Sequence, residues 1–265
     1  MSAQGIPHRW SPPRISLRLW PVWRRNLRVW RKLMVPSILG HFGEPVLYLL
    51  ALGYGFGRLI GEINGLPYMV FLASGIVCSS AMFSASFEAM YSAFTRFSQQ
   101  LTWQGMLNAP LDVDDIVLGE IVWAATKAVV AATAILIVAG ILGLLGGWTV
   151  LLVLPVIVLV GLCFASMAMV MTAVSPGYDF FMYYFTLVMT PMLLLSGVFF
   201  PLETFPPLIS DLAWLLPLAH AVAVVRPLMI GELPPAVVGH LAVLAVYGLA
   251  GMWLSLIILR RKLLG

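Results

Sequence analysis

Charge is scarce in this chain. Only 10% of its 265 residues are Asp, Glu, Lys or Arg, where soluble domains carry roughly 25%. That deficit excludes an ordinary soluble domain. Cysteine is nearly absent too. Cys78 and Cys163 stand in separate apolar segments and form no metal-spacing motif, which predicts two small buried hydrophobes. His8, His41, His220 and His240 are scattered without ligand spacing, and no Ser/His/Asp grouping is evident. There is no G-x-x-x-x-G-K-[ST] segment, so the chain does not hold a nucleotide through a phosphate loop. No convincing internal repeat is present, which argues against an inverted-repeat transporter.

What fills the chain is apolar. Hydrophobic residues make up 61% of it and mean hydropathy is +0.99. From Ala128 through Tyr178 the only ionisable side chains are Cys163 and Tyr178. A span needs about 20 apolar residues, so this stretch holds two, divided at Gly146-Gly147-Trp148. Only helices and closed barrels satisfy their backbone in lipid, and long continuous runs select helices. The sequence therefore predicts an all-α integral membrane protein. Its six transmembrane helices fall at about 36–58, 68–94, 116–145, 149–174, 180–200 and 236–259, each about 20 residues or longer. As one transmembrane domain it divides into a tail and interfacial helix (1–35), spans one to five (36–200), an outer hairpin (201–235), and a sixth span with a basic tail (236–265).

Basic residues orient the spans. With the N-terminus inside, all of the 15 Lys and Arg residues except Arg58, Arg226 and Lys127 fall on the cytoplasmic side. Both termini are then cytoplasmic, and the sequence pI near 9.3 reflects topology without implying nucleic acid as a partner. The Arg-rich first 34 residues lack the apolar core of a cleavable signal peptide. Within them Trp20, Trp23, Leu27, Trp30 and Met34 recur at three- and four-residue steps. Arg24, Arg25 and neighbouring cations fill the other face. Such a helix is expected to lie in the membrane interface, tryptophans at headgroup depth and cations toward anionic lipid. It serves as a topology anchor or transmits motion.

One internal segment breaks the apolar pattern. Arg96–Glu120 reads RFSQQLTWQGMLNAPLDVDDIVLGE. Its first half predicts a short amphipathic helix ending before Pro110, with an exposed Trp103, which suits a docking element. Asp112 reads as the N-cap of the third span, with Asp114 and Asp115 in its first turn, where carboxylates complement the helix dipole. An aspartate-rich metal site is the other reading, but no second acidic cluster faces it. After span five, Pro201–Pro235 is apolar yet crowded with proline. That predicts two short re-entrant or interfacial helices at about 205–216 and 218–230, since proline interrupts a continuous span.

Ionisable residues inside spans are costly unless paired or hydrated. Glu44, Glu88, Glu120 and Lys127 are the cases here. Lys127 is expected to snorkel or to pair with Glu88 or Glu44, as a structural ion pair or as the lining of a path for a polar headgroup. Tyr48, Tyr183 and Tyr184 add aromatic faces to such a path. Gly53, Gly57 and Gly61 have the spacing of close helix contacts, within a bundle or a dimer.

The chain resembles the ABC-2 type of exporter permease, and within it the NodJ-like permeases of nodulation-factor export. The residues that carry the resemblance are VWRRN at 22–26, SILGHFGEP at 37–45, FEAMYSAF at 87–94, DIVLGE at 115–120 and WAATKA at 123–128. LLLSGVFFP at 193–201, PLAH at 217–220, Arg226-Pro227 and LRRKLL at 259–264 continue it. The resemblance implies a homodimeric permease in the bacterial inner membrane. Each copy would dock on a separate cytosolic ATP-binding-cassette ATPase, two copies in all, that binds ATP and Mg²⁺. This chain would itself carry no cofactor and perform no catalysis. It implies that 96–110 is a coupling helix, with Arg96, Gln99, Gln100, Trp103, Gln104 and Met106 as contacts to the ATPase. It also implies outward movement of an amphipathic cargo such as a lipo-oligosaccharide or glycolipid. Two alternatives stand beside it: an ion-coupled transporter with Glu44, Glu88 or Lys127 carrying protons, and a membrane enzyme acting on lipid-linked sugar through Asp114 and Asp115.

Overall fold

The computed structural model describes residues 10–264, without the side chains of residues 38–42 and 44. The expectations for Arg9 and for the Glu44 side chain lie outside the described residues. Apart from one two-residue β-ribbon, the ordered elements are helical. Helix α1 (Leu19–Arg31) leads into α2 (Met34–Ile60). Strands β1 (Glu62–Ile63) and β2 (Leu66–Pro67) turn the chain into α3 (Tyr68–Phe87). Two widened, π-type turns, Glu88–Ser92 and Thr95–Gln99, carry α3 onward. Then come α4 (Thr102–Leu107), α5 (Val113–Ile141) and α6 (Val153–Val174). A broken pair, α7 (Phe180–Tyr184) and α8 (Thr190–Leu195), precedes α9 (Pro207–Ala213), α10 (Pro217–Ile230) and α11 (Val237–Leu264).

Among the described residues four helical segments are long and apolar enough to cross a membrane: Tyr68–Gln99, Val113–Ile141, Trp148–Val174 and Val237–Leu264. The six expected full spans are thus met only in part. Around expected span one, the described apolar helix is Pro45–Ile60, with Pro45 inside α2. Expected span five is the short apolar segment Phe180–Leu195. It widens to a π turn at Phe185–Met189 just before Pro191, which has no N–H to continue the ladder. Thr190 Oγ1 donates to the Phe185 carbonyl at 3.0 Å, satisfying one group that the widening frees. Helices α9 and α10 bend by 84° at their junction, and counting that pair as one span makes five. Extended backbone at Leu216, imposed by Pro217, makes the bend.

Helix α3 is the centre of the bundle. Its Ala, Ser, Gly and Cys side chains are buried nearly all round, and their small size lets α5, α6 and α10 approach. Close helix–helix approaches within the chain lie elsewhere than the Gly53/Gly57/Gly61 stripe. Gly57 and Gly61 face open space, and Gly53 meets only the Met69 side chain. Instead, a Cβ on Gly251 would lie 2.9 Å from Ser166 backbone, and one on Gly161 would lie 2.9 Å from the Ala125 Cα. These glycines set the α6–α11 and α5–α6 contacts. Cys78 and Cys163 are buried free thiols, as expected.

Candidate functional site

The polar island holds the site, and its local conformation explains why. The π turns rephase the end of the second span and turn Arg96 inward. Its guanidinium then reaches two carboxylates: Nε to Glu120 Oε1 at 2.9 Å, Nη2 to Glu120 Oε2 at 2.6 Å, and Nη2 to Glu88 Oε1 at 2.9 Å. The expectation of a single short amphipathic helix over the first half of the island, ending before Pro110, needs correction. Leu101 takes a left-handed backbone (φ 52°) that breaks the chain, and α4 starts afresh at Thr102.

That break folds α4 back onto α5. Trp103, expected to be exposed, is fully buried beside Phe97, and its indole N–H donates to Glu120 Oε1 at 3.2 Å. A large apolar ring with one polar atom is stable there because the carboxylate satisfies that atom. Asn26 of α1 donates to Glu120 Oε2 at 3.0 Å, and Trp123 of α5 donates to Glu88 Oε1 at 2.9 Å. Glu120 therefore joins α1, α4, α5 and the second span at one buried point. Arg25 lies close by, bonded to Asn26 Oδ1 at 2.9 Å. Burial, then the Arg96 charge, lower the Arg25 guanidinium from its ordinary value, and Glu120 opposes that shift.

Helix α1 is also repositioned relative to expectation. Trp23 and Trp30 turn into the protein against Trp123, with ring centroids at 6.4 and 6.0 Å. Their N–H groups bond Thr126 Oγ1 and Ser37 Oγ, each at 2.9 Å. Only Trp20 stays largely exposed, stacked on Trp23, and Arg24 is exposed. The helix is seated where Val22 packs on Gly119; a Cβ at position 119 would come within 2.7 Å of the Val22 Cβ.

The aspartates are structural as expected, with one addition. Asp115 accepts the Asp112 N–H at 3.0 Å and closes a capping box. Asp114 does more than complement a dipole: it takes Arg260 from the end of α11 (Nε to Oδ1, 2.8 Å), both side chains being fully buried. Arg14 N–H and Ser16 Oγ close over Asp114 and Asp115 at 2.9 and 2.8 Å, and Ser11 carbonyl accepts from Arg260 at 2.6 Å. The N-terminal segment, α5 and α11 are thereby tied together.

A cavity of about 1250 Å³ opens beside the Glu120 junction. Glu88, Arg96, Arg25 and Gln100 line one end and Leu194 and Phe199 the other. Along one wall Ser79, Ser80, Ser84, Ser92 and Thr95 present hydroxyls, and the Ser84 hydroxyl is buried with no partner among the described residues. Aromatic faces of Trp30, Tyr48, Phe83, Phe87 and Phe185 form much of the rest. Lys127 reaches this space without pairing with Glu88, one of its two expected carboxylates; the other, Glu44, has its side chain outside the described residues. Its Nζ donates to Ser37 Oγ at 2.6 Å and sits 4.9 Å from the Trp30 ring centroid, with no described carboxylate within 4.0 Å. Glu88 is taken by Arg96 and Trp123.

Of the expected path residues, Tyr48, Glu88 and Lys127 share this cavity. Tyr183 is exposed and Tyr184 is buried, and neither lines it. Of the expected docking residues, Gln99, Gln100 and Gln104 are exposed, Met106 is half-buried against the core, and Arg96 and Trp103 turn inward. The pairings of Asn26, Trp123 and Arg260 escaped the sequence reading, because each acts through a residue distant in the chain; Ser84 escaped it because a serine in an apolar helix gives no sign of facing a cavity.

Helices α1 to α10, with the proline-broken hairpin and the glutamate junction, fall inside one recognisable sequence pattern: the family model described as "ABC-2 type transporter" matches residues 19–230. The chain belongs to the ABC-2 type transporter family. Nodulation protein J of Sinorhizobium fredii is 45% identical over 243 residues, covering 92% of this chain and 93% of that one. Nodulation protein J of Rhizobium leguminosarum bv. trifolii is 46% identical over 249 residues, 94% of this chain and 95% of the relative. A more distant relative, the Inner membrane transport permease YadH of Escherichia coli K12, is 23% identical over 199 residues, 75% and 76% of the two chains. Within the ABC-2 family this is a NodJ-like permease, a membrane protein of transport function. The glutamate junction and the cavity are to be understood as parts of that ABC-2 permease.

Proposed function

We propose that this chain is the membrane subunit of an ATP-driven exporter, with six crossings and both termini on the cytoplasmic side of the bacterial inner membrane. It works as a homodimer with two copies of a separate ATP-binding-cassette ATPase, which holds ATP and Mg²⁺. The cargo is an amphiphile with a hydroxyl-rich head, such as a lipo-oligosaccharide or glycolipid. It moves outward through the cavity beside α3.

One observation carries this reading: Glu120 links α4 to the cavity wall through Arg96 and Glu88. An ATPase pressing on Gln99, Gln100, Gln104 and Met106 would move α4 as a unit with Trp103, its buried anchor. Trp103 cannot shift without disturbing the carboxylate that holds Arg96. The cavity's chemistry suits a glycolipid, with hydroxyls on one wall for sugar groups and aromatic faces and aliphatic side chains for rings and acyl chain. Glu88 accepts hydrogen bonds from Arg96 and Trp123, which supports reading it as part of the linkage between α4 and the cavity.

The test compares strains with and without the chain by untargeted lipid and glycan profiling of the exterior, with the permease co-expressed with an ATP-binding-cassette protein. An amphiphile that disappears from the exterior on deletion and returns with the wild-type chain is the expected result. Export by vesicles of this chain alone under a pH gradient, without ATPase, would replace this reading with the ion-coupled one.

A further inference from the structure

A second pocket, of about 180 Å³, lies at the opposite end of the bundle from the glutamate junction and shares no lining residue with the large cavity. The β-ribbon loop, the chain after α8, and α10 enclose it. Two opposite charges stand in its walls without meeting. Arg226 and Glu203 both line it, yet the ion pairs among the described residues are Arg96–Glu88, Arg96–Glu120 and Arg260–Asp114.

Arg226 is held rigidly. Its Nε donates to Ser74 Oγ at 2.9 Å, its Nη2 to Gly197 O at 2.6 Å and more weakly to Phe71 O at 3.5 Å, and the guanidinium lies 3.6 Å from the Phe71 ring centroid. Its Nη1 has no acceptor among the described residues. Nor does the Ser196 hydroxyl, which is fully buried in the same wall. A fixed cation with spare donors, an unpartnered buried hydroxyl and a carboxylate on the exposed side of the pocket call for a ligand with separated opposite charges. A group carrying only negative charge would be repelled by Glu203. The volume equals roughly six waters, enough for a headgroup and too small for an oligosaccharide.

We propose that this pocket binds a zwitterionic phosphoethanolamine-type group, with phosphate oxygens toward Arg226 and Ser196 and the ammonium toward Glu203. On the orientation given under Proposed function it lies at the outer headgroup level. That clause alone rests on the export reading, and the test below needs neither cargo nor ATPase.

The full chain, purified and delipidated in detergent, is titrated with phosphatidylethanolamine, with phosphatidylglycerol of the same acyl chains, and with soluble phosphoethanolamine, and bound species are counted by native mass spectrometry. Phosphatidylethanolamine should be preferred over phosphatidylglycerol by about tenfold, the size of one charge-assisted hydrogen bond. Glu203→Gln should abolish that preference, and Ala223→Leu, which fills the pocket wall, should weaken phosphatidylethanolamine retention. Both positions lie away from the core ion pairs, and an unchanged melting temperature checks folding. Competition by soluble phosphoethanolamine also supports the site and makes a free phosphoester its source; failure to compete, with lipid still bound, makes the membrane the source. Equal retention of the two lipids by the wild type, or wild-type preference in both variants, overturns the proposal.

Discussion

The Trp103 indole donates its hydrogen to Glu120 across 3.2 Å, and the same carboxylate holds Arg96 from the second span. Docking helix and cavity wall therefore meet at one side chain.

Replacing that indole separates packing from coupling. Trp103→Phe keeps most of the buried ring and loses the N–H, which should destabilise the chain by about 1 kcal/mol. Cargo-stimulated ATP hydrolysis should fall well below wild type while the ATPase still co-purifies. Stimulation at the wild-type level would show that the Trp103–Glu120 bond transmits nothing.

Glu120→Gln removes one of the two carboxylates that neutralise Arg96. Breaking a buried charged network in this way costs about 3–5 kcal/mol. Loss of folded protein on size-exclusion chromatography, or a large fall in melting temperature, is the expected reading. Glu120→Gln with wild-type stability would mean that Glu88 alone satisfies Arg96.

On the exposed face of α4 and the turn before it, Gln100→Ala with Gln104→Ala should alter stability by less than about 0.5 kcal/mol. Retention of a co-expressed ATP-binding-cassette protein on the purified permease should drop. Undiminished retention would place the docking surface elsewhere.

Arg260→Met leaves Asp114 buried without its cation and should cost about 3–5 kcal/mol. Adding Asp114→Asn should restore part of that loss, because the uncompensated charge is gone. A double-variant melting temperature no higher than that of Arg260→Met would refute the pairing as the source of the loss.

In the cavity, Ser92→Leu adds bulk at a half-buried lining position one turn from Glu88. Export should fall while ATPase retention and melting temperature stay near wild type. Export that tolerates both Ser92→Leu and Lys127→Met would move the cargo path away from this wall.

The helical class, the membrane setting, the N-cap at Asp112 and the proline-broken hairpin were legible because each depends on composition or on neighbours within a few residues. Span boundaries were less so: π turns and a left-handed Leu101 moved the second span's end from about residue 94 to Gln99. Lys127 was legible as a misfit in an apolar helix, but its contacts with Ser37 and Trp30 were not. Ser37 and Trp30 lie some ninety residues earlier, and their sequence carries no sign of a cation.

The sequence by itself determined that this chain lives in a bilayer and where its polar island interrupts the spans, since a bilayer solvates only apolar, internally bonded helices. Only the tertiary structure decided what the island's residues do. Whether a tryptophan or arginine faces solvent or a carboxylate depends on which helix packs against it, and no local rule supplies that. Trp103 and Arg96, which had the composition of a surface, turned inward because Glu120 waits there, unable to remain unpaired in a low-dielectric interior.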